Sequence, residues 1–296
     1  MLEFKLILCP IDFSEFSVRA YRHALSLAEH YRSRLVALHV AELSRYPYAD
    51  YAATAGDYAE FRRTLCEGGK ELLSDFVKKH SHPHIHPELV VHDGAAPDCI
   101  LTFAEKQKAE LIVMGTHGRR GYDRLVIGSV TDRVMRRTSC PVLAICKPTP
   151  DSAAEDKEPG HVHHLNRILF CTDFSENSAR ALNYALSATA EYNAELTLLH
   201  VLEDVSSPDK MERCVAKASE QLNKLIPPKQ RETLNIKTAV RVGKPYREII
   251  RLATEAQIDM VAMAVRGRGA LDLAVFGSTT YRVLQLGPCP VLAVHV

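Results

Sequence analysis

The chain carries one pattern twice, and that repetition constrains its fold more than any other feature. Residues 7–40 read ILCPIDFSEFSVRAYRHALSLAEHYRSRLVALHV, and residues 168–201 read ILFCTDFSENSARALNYALSATAEYNAELTLLHV. These stretches share 17 identities in 34 ungapped positions, among them Asp12/Asp173, Ser14/Ser175 and His39/His200. A second pair, 113–145 and 262–294, repeats with a different offset, 149 residues instead of 161. Self-similarity on this scale implies two copies of one domain. The change of offset places 12 extra residues in copy one, between Val40 and Gly94. That stretch holds Tyr46, Tyr48, Tyr51 and Tyr58. It reads as a surface elaboration, with a lid or partner contact as the alternative.

Within each copy, short apolar runs alternate with amphipathic stretches. The runs predicted as strands are 6–11, 35–40, 89–92, 111–114 and 142–145, then 168–172, 196–201, 238–242, 260–264 and 291–294. Helices are predicted in copy one over 15–32, 58–79, 98–108 and 129–137. Continuous apolar strands separated by helices indicate a parallel sheet covered on both faces, and right-handed crossovers make it a doubly wound α/β domain. The predicted domains are 1–147 and 165–296. Residues 148–164 match neither repeat and read as a linker.

Net charge is +1 in 296 residues, which gives no general attraction to nucleic acid or membrane. No apolar run approaches a transmembrane span, and no signal peptide is read at the start. The eight cysteines form no CxxC pair and suit buried, reduced thiols in a cytoplasmic protein. Histidines cluster at His80, His82, His84 and His86, and again at His161, His163 and His164. They are read as solvated loop residues, and no protein-held metal is expected. His39 and His200 are read as structural.

The chemistry is carried by Gly115-Thr116-His117-Gly118, nine residues, and then Gly128-Ser129 at a predicted helix start. Glycine lets backbone approach a ligand or take positive φ. A helix N-terminus offers free N–H groups and a positive dipole end, which suits phosphate. Arg119, Arg120 and Arg124 lie in the intervening loop. In an open α/β sheet a ligand sits beyond the carboxyl ends of the strands where their order reverses. If strands one and four are neighbours, Asp12 and Gly115 meet there. Asp12 then either hydrogen-bonds a base or ribose or caps the following helix.

These residues resemble the universal stress protein family. The motif GTHG-x9-GS, the leading PIDFSE, the LHV and the CPVLAI carry the resemblance, which covers both copies. It implies a sheet order 3-2-1-4-5 in each five-stranded domain and an ATP site. The base would lie on Pro10, Ile11, Asp12, Val40, Met114 and Gly115. The phosphates, with Mg2+ as a possible companion, would lie on Gly118, Gly128, Ser129 and Val130. In copy two the counterparts are Thr172, Asp173, Val201, Met263, Gly267, Gly277 and Ser278. There Gly115 becomes Ala264, expected to weaken site two by clashing with nucleotide or by forbidding a positive φ. Family members commonly dimerise through their last strands, so 142–145 and 291–294 are expected to pair. Pairing of whole chains stays open. Three functions are weighed: a cytoplasmic ATP-binding regulator or interaction module, a slow ATPase or self-phosphorylating enzyme, and a nucleotide-free scaffold or holdase.

Overall fold

The computed structural model describes residues 3–42, 55–80, 82–118, 126–146, 165–203, 208–265 and 277–295. In chain order the first copy forms β1 (Leu6–Ile11), α1 (Glu15–Tyr31), β2 (Arg34–Ala41), α2 (Ala55–Lys79), β3 (Glu88–Asp93), α3 (Ala96–Gln107), β4 (Leu111–Gly115), α4 (Ser129–Arg137) and β5 (Val142–Ile145). The second forms β6 (Arg167–Cys171), α5 (Glu176–Tyr192), β7 (Glu195–Leu202), α6 (Pro208–Lys224), α7 (Pro228–Thr233), β8 (Asn235–Val242), α8 (Pro245–Glu255), β9 (Met260–Ala264), α9 (Ser278–Leu286) and β10 (Val291–Val294).

The protein is an α/β tandem repeat. Strand order is 3-2-1-4-5 in the first copy and the equivalent β8-β7-β6-β9-β10 in the second. β1 lies parallel between β2 and β4, with Leu8 beside Val36 on one side and Ile112 on the other. Central strands read as unbroken apolar runs because both their faces are buried: Ile7, Leu8 and Cys9 in β1 and Ile168, Leu169 and Phe170 in β6 are fully excluded from solvent. β3, at the sheet margin, is only half-buried.

By contact, residues 3–140 form one compact unit, and residues 141–146 group with residues 165–295 in the other. Within that second unit β5 pairs antiparallel with β10, Val291 opposite Ala144 and Leu292 opposite Leu143.

The turn that starts the first helix is built the same way in both copies. Ser14 caps α1 by accepting from the Ser17 N–H, and Ser175 caps α5 by accepting from the Ser178 N–H. The residue before each cap, Phe13 or Phe174, takes positive φ (64° and 60°). Both helices end on a left-handed residue, Arg32 or Asn193. α7 has no counterpart in the predicted elements. Its signal was Pro227-Pro228, which opens the helix at a position where proline's missing N–H costs nothing. Tyr46, Tyr48, Tyr51, the linker and the second histidine cluster lie outside the described residues.

Candidate functional site

A cavity of about 800 Å3 opens beyond the carboxyl ends of β1, β2 and β4, against the start of α4. That is the size of a small-molecule site. All ten residues predicted for copy one line it: Pro10, Ile11 and Asp12 from β1 and its end, Val40 from β2, Met114 and Gly115 from β4, Gly118 beyond it, and Gly128, Ser129 and Val130 at α4. The walls also include residues the sequence reading missed, notably His39, Glu42, Ile100, His117 and Ile127. Glu42 had a signal. Its repeat counterpart, 161 residues on, is Glu203. In the structure Glu42 Oε1 accepts from the Ala96 N–H at 3.4 Å, at the start of α3.

The capping reading of Asp12 is corrected, because the cap of α1 is Ser14. Asp12 Oδ1 accepts from the Ser14 N–H (3.0 Å) and the Ser14 hydroxyl (2.6 Å), so it braces the cap residue while Ser14 caps the helix. Its Oδ2 points at Gly118, where a Cβ would stand only 2.7 Å away. A side chain at 118 would therefore displace the Asp12 carboxylate.

Gly115 has a different reason. A Cβ there would lie 2.7 Å from Phe16 Cβ and 3.2 Å from the Phe16 backbone carbonyl. Among the described glycines only Gly94 and Gly243 have positive φ. Gly115 thus lets α1 settle onto β4. Of the two mechanisms expected to weaken site two through Ala264, a lost positive φ is corrected, because Gly115 has none to lose. In copy two the position of Phe16 holds Asn177, and Ala264 is buried.

Helix caps differ sharply between the two helix types. α4 begins after Gly128, with no side-chain cap, and α9 likewise after Gly277. Their first-turn N–H groups have no partner inside the helix. The loop is closed instead by backbone: Gly128 N–H donates to Thr116 O (2.8 Å), and Gly277 N–H to Val265 O (3.2 Å). Thr131 and Thr280 hydroxyls donate to the carbonyls of Gly115 (2.8 Å) and Ala264 (3.1 Å). Copy two keeps this frame, together with the Asp173 brace on the Ser175 N–H (3.0 Å). Thr172 there is buried and hydrogen-bonded to Ser178 (2.9 Å). Gly267, Arg119, Arg120 and Arg124 lie outside the described residues.

The histidines that end the second strand of each copy are structural. His39 Nδ1 donates to the Ile11 carbonyl and His200 Nδ1 to the Thr172 carbonyl, each at 2.8 Å. Each ring also stacks on the positive-φ phenylalanine. In the first histidine cluster, His82 meets Glu29 at 3.3 Å. Burial and the charges of Arg22 and Lys79 hold His80 below the usual histidine range. Among the described residues no group of three metal-ligating side chains comes together. The eight cysteines form no disulfide, and burial pushes the Cys140 and Cys289 thiols up to about 12. No helix among the described residues is long and apolar enough to cross a membrane.

Fold and cavity together define a doubly wound α/β protein with a ligand-sized crevice at its topological switch point. The model of the universal stress protein family matches residues 3–145 and again residues 164–295, so the chain belongs to that family, as a tandem member. A universal stress protein of Methanocaldococcus jannaschii is 37% identical over 148 residues, covering 49% of this chain and 84% of that protein. One from Mycobacterium tuberculosis is 25% identical over 268 residues, covering 87% of this chain and 86% of that one. A solved universal stress protein from Archaeoglobus fulgidus matches with a TM-score of 0.70 at 22% identity, covering 99% of each chain, a likeness of fold.

Proposed function

We propose that the first repeat binds ATP and that the chain works as a nucleotide-responsive regulator or interaction module in the cytoplasm. One observation carries this reading. At the cavity wall α4 starts without a side-chain cap, while α1 has one. A helix end beside a cavity needs a partner for its N–H groups, and a phosphate is the partner best matched to them. The phosphates would lie on Gly118, Gly128, Ser129 and Val130, and the base against Pro10, Ile11, Asp12, Val40, Met114 and Gly115. Hydroxyl oxygens are available at the phosphate end, but that of Thr131 already donates to Gly115. Mg2+ would therefore take its ligands from phosphates, water and the Ser129 hydroxyl. Its chemistry there would be charge neutralisation.

Binding is favoured over catalysis by the use of Asp12. Phosphoryl transfer needs a group that activates the nucleophile and a carboxylate that holds metal. The Asp12 carboxylate is engaged instead in bracing Ser14, through that residue's N–H and hydroxyl. Site two, on Thr172, Asp173, Val201, Met263, Gly267, Gly277 and Ser278, keeps the frame with a different lining and is assigned the weaker affinity. The repeats 1–147 and 165–296, joined by the linker 148–164, would stay together through β5 and β10, as a covalent version of a dimer. Cysteines without disulfides suit a reducing compartment.

Acid extraction of the purified chain, with chromatography of what is released, tests the reading. Adenine nucleotide at a substantial fraction of one per chain supports it. A chain that releases none and takes up none when ATP is added would be a nucleotide-free scaffold. Phosphate release faster than about one per minute would make it an enzyme, though a slow one.

A further inference from the structure

We propose that the second repeat carries a docking surface for an acidic peptide segment of a partner protein, built on Lys244, Tyr246, Arg247 and Arg282. The Arg282 guanidinium lies over the Tyr246 ring, 4.9 Å from its centre, and that of Arg247 lies 5.8 Å from it. Arg247 Nε donates to the Tyr246 hydroxyl at 3.1 Å. Lys244, at the start of α8, adds a third charge. Hydrogen bonding from Arg247, and then the charges of Arg247, Arg282 and Lys244, lower the Tyr246 phenol. The nearby acids are committed elsewhere. Glu248 pairs with Arg251, and Glu255 with Arg241 and Arg251. Among the described residues no carboxylate pairs with Lys244, Arg247 or Arg282.

The first repeat supplies the comparison. The offset of 149 residues extends back to Gly94 and Gly243, the two glycines of positive φ (134° and 145°). It matches Lys244, Arg247 and Arg282 with Ala95, Asp98 and Arg133. It also matches Val242 and Leu286, both exposed, with Asp93 and Arg137. In the first repeat both aspartates are neutralised in place: Asp93 binds Arg62 and Asp98 binds Arg137, each at 2.5 Å. The second repeat has lost both ion pairs. It gained two cations and left two aliphatic side chains open beside them.

Charge complementarity names the occupant. Guanidinium groups fixed on an aromatic ring present their outer N–H forks to carboxylate or phosphate. The exposed Val242 and Leu286 supply apolar contact for aliphatic side chains between the acids. With Arg282 over the tyrosine, the ring face is a poor platform for stacking bases, and three cations make no extended basic stripe. A peptide alternating acidic and aliphatic residues fits both features.

The test uses the full chain and a fluorescein-labelled peptide alternating glutamate and leucine, read by polarisation. Wild type should bind it, more weakly as salt rises, and should bind a glutamine–leucine peptide poorly. Reversing the charges (K244E, R247E, R282E) should weaken binding by about tenfold or more, and R282K should fall between, because lysine lacks the planar fork. R133E in the first repeat should change nothing. Thermal melts confirm that each variant is folded. A phosphoserine–leucine peptide that binds more tightly identifies phosphate as the preferred anion on the same surface. No binding by wild type, equal binding by the folded triple variant, or equal binding of the neutral peptide would overturn the proposal. So would duplex DNA or anionic vesicles displacing the peptide. None of these outcomes depends on ATP occupying the first repeat.

Discussion

At the residue scale, two glycines of one motif answer to different neighbours. Gly118 makes room for the Asp12 carboxylate at the cavity, while Gly115 makes room for Phe16 on a packed helix. The spacing of the motif was legible in the sequence. The cause at each position was not, because it depends on where a Cβ would point in three dimensions. Gly115→Ala should therefore act first on stability. The expected loss is about 1–3 kcal/mol, the usual cost of overpacking. Ala264→Gly should not strengthen nucleotide binding by the second repeat. Chemical denaturation and calorimetry of both variants check this. A Gly115→Ala chain of full stability with poor ATP affinity would return the glycine to the ligand. Asp12 teaches the same lesson: sequence left ligand and cap as alternatives, and the side chain has one oxygen for Ser14 and another directed at Gly118.

At the element scale, the informative contrast is between capped and uncapped helices. α1 and α5 satisfy their own N-termini through Ser14 and Ser175, whereas α4 and α9 begin at glycine. Gly128 has φ −57° and ψ 142°, open to any residue, and a Cβ there would be 3.4 Å from Thr116 O. Gly128→Asp should thus be accommodated and should cap α4. Its stability gain is a few tenths of a kcal/mol, the small advantage of Asp over Gly as a cap. ATP affinity should drop by about tenfold or more, because a carboxylate then occupies the phosphate cradle. Opposite signs of the two effects, read by thermal melting and calorimetry, are the signature. Most elements were legible because each apolar run has one periodicity and a clear turn at its end. β2, β3, β7 and β8 are longer than predicted mainly because polar residues at their ends pair in the sheet, as Arg34, Glu88, Asp93, Glu195 and Asn235 do. α7 was missed because five polar residues after two prolines carry no amphipathic stripe.

At the scale of the whole molecule, internal duplication made the architecture readable, since each copy served as a check on the other. It also shows where the copies diverged: the first repeat keeps the full glycine motif, and the second carries the cationic surface around Tyr246. β5 illustrates a limit of the sequence, since it is repeat one by similarity and yet groups by contact with the second unit. All four of its residues are buried, and Val142–Ile145 is apolar throughout. A protease site inserted within residues 152–157 should therefore leave both halves eluting together in size-exclusion chromatography after cleavage. Halves that separate in mild buffer would show that β5 and β10 do not hold the chain together.

The central claim is that the cavity between Asp12 and the start of α4 holds ATP. Calorimetric titration of ATP into the full chain and into its Gly118→Val variant tests it most directly. A valine at 118 would meet the Asp12 carboxylate and narrow the crevice where the phosphates would enter. The account predicts one principal ATP site per wild-type chain, lost or weakened by about a hundredfold in a variant whose thermal unfolding shows it still folded. Unchanged ATP affinity in that folded variant would contradict it.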